Sequence, residues 1–230
     1  MSSNSTLGKM LDSVLPPMPA FLEMVTEQAD VLAQSLSLAV ECLSESNIDK
    51  MQQLTAVETK AKELRQKHLD KLHDSFSTPI DRVDLLQAIQ TLATPVESMR
   101  LVLEEMHALK ILSDNFCLEM AVVLRESATA LHRGYSKLST TPGLADPDAQ
   151  VALQCLSSVD RVYRKALGKL FTIDSDVKDM KDKVADAEIN AFIHVVDILK
   201  RREAYRHFRN IASKMGEAGA VLHSIVVQNG

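Results

Sequence analysis

The chain has 230 residues, enough for one large domain or two small ones with a sizeable core. A net charge of −5 leaves no cationic surplus for gripping a phosphate backbone, so a nucleic-acid partner is not expected. Hydrophobic residues reach 46 % with aromatics at only 4 % and no Trp; seven Gly and seven Pro are too few for the turns of an all-β fold, which leaves an all-helical protein.

Cys42, Cys117 and Cys155 are odd in number, widely spread and each set in an apolar pattern, and they read as buried thiols of a reducing compartment. Residues 1–20 lack a basic start followed by an apolar core, and no uncharged apolar run approaches the roughly twenty residues of a membrane helix. The expected location is the cytoplasm.

In chain order, residues 1–19 form a Ser-rich lead-in ending in Pro16, Pro17 and Pro19, whose Leu7, Met10, Leu11 and Leu15 are candidates to dock on the body. Apolar residues then recur at steps of three and four, the seam of packed helices. The first segment carries Leu22, Val25, Ala29, Leu32, Leu36, Ala39 and Leu43, and stops near Ser44–Asn47. The second carries Leu54, Val57, Ala61, Leu64, His68 and Leu72.

Pro79 forces a break after Phe76, because it lacks an N–H and pushes Thr78 out of the helical region. Asp81 then sits where an N-cap belongs, with Asp84 in the first turn of the third segment. That segment is regular from Leu85 to Met106, and Pro95 inside it predicts a kink. Ser113-Asp114-Asn115 offers a cap and a turn before the fourth segment, Cys117 to Leu138; a helix continuous through it is the alternative. Ser139–Asp148 has the composition of a linker, with two prolines and a glycine. The fifth segment spans Ala152–Leu170, the sixth Ala185–Leu199, closed by the basic run Lys200–Arg202, and the seventh Phe208–Ile225.

The corner Phe76-Ser-Thr-Pro-Ile-Asp-Arg82, continuing as Val83-Asp-Leu-Leu86 and preceded by Val57-Glu-Thr-Lys-Ala-Lys-Glu-Leu64, resembles the PhoU-like phosphate-uptake regulators. The nearer likeness is the branch that accompanies Pit-type phosphate transporters, over roughly Leu7 to Val227. The resemblance implies an elongated bundle of six to seven long antiparallel helices in two three-helix units. The units would fall at about 20–138 and 148–230 of a single domain spanning 20–230, with a linker at 139–147.

In that family, acid pairs spaced E/D-x-x-x-D bind transition-metal clusters, since carboxylates at i and i+4 share a helix face. Here the matching positions are Glu58 and Lys62, Ala93 and Glu97, Arg209 and Ser213, and only Asp182 and Asp186 keep both acids. The candidate metal residues are therefore Asp182, Asp186, Glu58 and Glu97, in a degenerate site. No cofactor is expected beyond a weakly held divalent metal, because Lys62 and Arg209 put fixed positive charge where a dication would sit. The plainer reading of Asp179, Asp182 and Asp186 is a solvated acidic face.

His68 falls inside an apolar seam and reads as a neutral core or interface histidine. Glu104-Glu-Met-His107 is a lone E-x-x-H, where a di-iron bundle needs two. The spacing of Gly216 and Gly219 suits close helix approach. Arg201, Arg202, Arg206, His207 and Arg209 make a modest positive patch at the expected corner between the sixth and seventh segments, fit for a membrane surface or an acidic partner if it is not simply solvated.

No convergent catalytic constellation stands out. The resemblance implies a non-enzymatic cytoplasmic accessory of phosphate transport, docking on the inner face of a Pit-type transporter or on a signalling protein. Peripheral membrane association and a homodimer fit the same picture. A metal-binding or metal-storing bundle and a self-associating structural bundle are the alternatives.

Overall fold

The computed structural model describes residues 18–45, 48–78, 80–172 and 184–229, with side chains for 21–44, 50–78, 80–172 and 192–228. The elements are α1 (Met18–Glu45), α2 (Ile48–Asp74), α3 (Arg82–Ala108), α4 (Asn115–Lys137), α5 (Asp146–Leu153), α6 (Cys155–Leu170) and α7 (Val184–Asn229). A short 3₁₀ helix, Pro142–Ala145, precedes α5. No strand occurs among the described residues, and the expected all-α bundle is what forms.

Helix α1 buries Phe21, Val25, Ala29, Leu32, Leu36 and Ala39, and packs against α2, α3 and α4. Helix α2 has a thinner seam, Leu54, Ala61, Leu64 and Leu72, and lies against α1 and α3. On the other side α7 packs against α3, α4, α5 and α6 through Ala204, Phe208, Ile211, Met215, Ala218 and Leu222. One continuous hydrophobic core joins the two sides. The register of α3 and α7 is antiparallel: Glu105 meets His207 and Ser98 meets Lys214.

Three stretches differ from the sequence expectation. The sixth and seventh segments are one 46-residue helix, so the basic run Lys200–Arg202 lies mid-helix and closes nothing. Nothing from 200 to 210 is a Gly or Pro, and within the run Arg201 pairs with Asp197 one turn back at 2.7 Å. The fifth segment is instead broken between α5 and α6. There α7 presses in so closely that a Cβ on Gly219 would stand 2.8 Å from the Leu153 backbone nitrogen. The stretch 139–147, linker-like in composition, holds the 3₁₀ helix, whose Ala145 is wholly buried against α4 and α7.

Pro95 is buried within α3 and does not end it. The helix ends where its backbone turns left-handed at Lys110, φ 56°. The Ile111 N–H donates to the Met106 carbonyl at 2.8 Å and the Lys110 N–H to the His107 carbonyl at 3.1 Å, a Schellman closure with Ile111 and Met106 both buried. The turn at Ser113 is therefore real.

An L-residue at that left-handed position is strained. Lys110→Gly is expected to raise stability by about 1 kcal/mol, a melting shift of roughly 2–4 °C for a chain of this size, read by thermal unfolding.

Candidate functional site

The corner between α2 and α3 is held by its own backbone. Asp81 caps α3, its carboxylate accepting from the Val83 N–H at 2.7 Å, and the Leu85 N–H donates to the Asp81 carbonyl at 3.1 Å. The Arg82 guanidinium reaches back to the Ser75 carbonyl, and Ile80 is buried beneath. Pro79 itself lies outside the described residues. Among the polar residues that this arrangement turns to solvent stand two apolar ones, Phe76, 89 % exposed, and Val83, 57 %. A fixed corner carrying two uncovered apolar side chains is a contact surface in form.

Along the α2–α3 face, Glu58 is only 5 % exposed and is gripped by two cations. Lys62 Nζ stands 2.8 Å from its Oε1 and Arg100 Nε 2.8 Å from its Oε2. Burial alone would raise the Glu58 pKa, but Lys62 and Arg100 outweigh it and hold the carboxyl below its ordinary value. Glu97 is exposed, 4.0 Å from Lys62, and Arg100 also pairs with Glu104. These residues do not fit a divalent cation: each Glu58 oxygen already faces a fixed positive charge. Asp182 and the side chain of Asp186 lie outside the described residues, as does Asp179. Among the described residues no three His, Cys, Asp or Glu side chains gather as a metal group.

The remaining positions singled out in the sequence are in ion pairs or packing. Arg209 pairs with Asp160 of α6 at 2.5 Å and lies over the Tyr163 ring. Glu105, next to Glu104 in the lone E-x-x-H, meets His207 at 3.1 Å. Cys42, Cys117 and Cys155 are buried thiols. Burial pushes the Cys117 thiol up to about 12 and the Cys155 thiol to about 11, the behaviour of unreactive core groups.

His68 is 1 % exposed, between α2 and α1, with Nε2 3.4 Å from a Glu27 carboxylate oxygen. Burial lowers its pKa, and Glu27 offsets this only in part, while Lys67 and Lys71 add to it. One hub was not anticipated. Asp114 caps α4 by accepting from the Phe116 and Cys117 N–H groups at 3.0 and 2.9 Å, and also accepts from the Tyr205 hydroxyl of α7 at 2.5 Å. Arg201 stands 3.4 Å away. Burial would raise the Asp114 pKa, but the Tyr205 and Cys117 donors carry it below the ordinary value. The cap was legible in Ser113-Asp114-Asn115; its partner 91 residues on was not.

Two measurements check these assignments. A histidine whose folded pKa lies below 6.5 withholds no stability above that pH and loses it as pH falls from there. Unfolding at pH 7 and pH 5 should show a fall in stability that is smaller in His68→Leu. Asp114→Ala removes a cap and a charge-assisted bond together and should cost about 2–4 kcal/mol by denaturant unfolding, with Asp114→Asn costing less.

No protein-family model matches the chain, and no curated protein matches it in sequence. Solved structures do match in shape. A PhoU-like protein from Shewanella oneidensis MR-1 superposes with a TM-score of 0.60 at 11 % identity, covering 90 % of this chain and 99 % of that one. A putative PhoU-like phosphate regulatory protein from the same organism gives 0.51 at 9 % identity with the same coverage. The helices of this chain take up the PhoU-like fold.

Proposed function

We propose that this chain is a non-enzymatic regulator of phosphate transport, acting by contact with a Pit-type transporter at its inner face or with a signalling protein attached to it. The observation that carries the reading is the α2–α3 corner: Phe76 and Val83 stand exposed on a turn whose backbone is fixed by the Asp81 cap. An exposed apolar pair on rigid backbone binds with little ordering cost, as an interaction site requires. The fold supports the phosphate connection, since one of its structural neighbours is itself described as a putative phosphate regulatory protein.

The chemistry of the described residues favours a binding role over a catalytic one. Groups with strongly raised pKa values, Cys117, Cys155 and Tyr135, are buried in helix packing and owe the shift first to burial. The buried carboxylate of Asp148 is held by Arg133 and Lys137 at its rim. Among the described residues no helix is long and apolar enough to cross a membrane.

Deletion of the gene is expected to change the rate of phosphate uptake, and affinity-tagged protein should co-purify with a phosphate permease. Phe76→Ser together with Val83→Ser should weaken that capture at least ten-fold while leaving the melting temperature unchanged, because both side chains are exposed. Normal uptake and no permease in the eluate would remove the proposal.

A further inference from the structure

Where α2 packs on α3, Ala61 and Ala93 are too small to close the space between the helices. A cavity of about 20 Å³ remains, lined also by Glu58, Lys62, Arg65 and Glu97. That is room for one water molecule or one ion. Glu58 belongs to α2 and Glu97 to α3, so carboxylates from two helices share one ion-sized gap.

The positive charge at this gap comes from the chain itself. Lys62 Nζ stands 2.8 Å from Glu58 Oε1 and 4.0 Å from Glu97 Oε1, while Arg100 joins the other oxygen of Glu58 to Glu104. The five groups make one alternating row, Glu97–Lys62–Glu58–Arg100–Glu104, in which three acids converge on two cations. Neither contact to the buried Glu58 carboxylate has the direction of a hydrogen bond. Charge alone holds it, and such undirected attraction is what a metal ion offers a carboxylate. Lys62 is itself more than half exposed, so its ammonium reaches a buried oxygen from the rim of the gap.

We propose that this gap is a divalent-cation site held permanently by the chain's own cations, the Lys62 ammonium and the Arg100 guanidinium. The α2–α3 joint therefore closes without metal, and a single side chain keeps a metal out. Position 62 is the deciding one, because its side chain already spans from Glu58 to Glu97. An acid there would set three carboxylates around the gap, a hard-cation donor set. The inference goes beyond the transport reading and does not rest on it.

The test is thermal unfolding of the full chain in EDTA and in about 1 mM Mn²⁺, with helicity followed by circular dichroism. The unaltered chain and Glu58→Gln should respond to Mn²⁺ alike, within about 1 °C, since no metal enters the gap in either. Lys62→Asp, a change at a side chain more than half exposed, should keep its helicity and melt roughly 2 °C higher in Mn²⁺ than in EDTA. Lys62→Asp with Arg100→Ala should melt lower than the unaltered chain in EDTA and gain roughly 5 °C from Mn²⁺. A Mn²⁺ response of the unaltered chain that Glu58→Gln abolishes would overturn the proposal, because a metal would then already sit beside Glu58. Lys62 variants that fold and ignore Mn²⁺ would overturn it as well, by showing an ordinary ion pair with no cation site behind it. If the double variant does not fold, Lys62→Asp alone decides. Neither phosphate nor a transporter enters the assay, so its failure is distinct from failure of the uptake experiment.

Discussion

The enclosure of α1 is the constraint on which the other helices depend. With α2, α3 and α4 around it, α1 keeps only a narrow solvent edge, and its interior turns must be small or apolar to admit three neighbours. Even Gln28 and Ser35 are drawn fully inside, Gln28 donating to the Ala61 carbonyl at 3.5 Å. Burying such groups costs free energy that only the apolar surface around them offsets. Once α1 is enclosed, α4 has one face committed and turns the other toward α5, α6 and α7.

Charge placement follows the same economy of position. The α2–α3 face, which by resemblance would carry metal-binding acids, has Glu58 held between Lys62 and Arg100. A buried pair of this sort adds little net stability over an apolar equivalent, but losing either cation leaves a buried carboxylate uncompensated. The cluster therefore fixes the register of α2 on α3. Asp114 does the same between the start of α4 and the middle of α7 through Tyr205 and Arg201.

Local features were readable in the sequence, and those depending on distant residues were not. The three-four alternation located the α1–α4 helices, and the caps at Asp81 and Asp114 followed from side-chain chemistry. The pairing of Glu58 with Lys62 was visible as an i,i+4 pair, but the second cation, Arg100, comes from another helix. The run Lys200–Arg202 suggested a helix C-terminus because cations favour one. That signal fails here, where Asp197 pairs with Arg201 one turn back and Lys200 reaches the Leu109 carbonyl, so the run sits inside a continuing helix. The break between α5 and α6 is set by the approach of Gly219, far along the chain, and no local pattern announces it.

The length of α7 separates what the molecule can touch. Its antiparallel register with α3 puts the Phe76–Val83 corner level with the C-terminus of α7, while Phe192 lies beyond the far end of α3. At 1.5 Å per residue the two are about 55 Å apart along one stiff rod. Occupants at opposite poles do not compete for space, so the protein has the geometry of a strut that can be held at both ends at once.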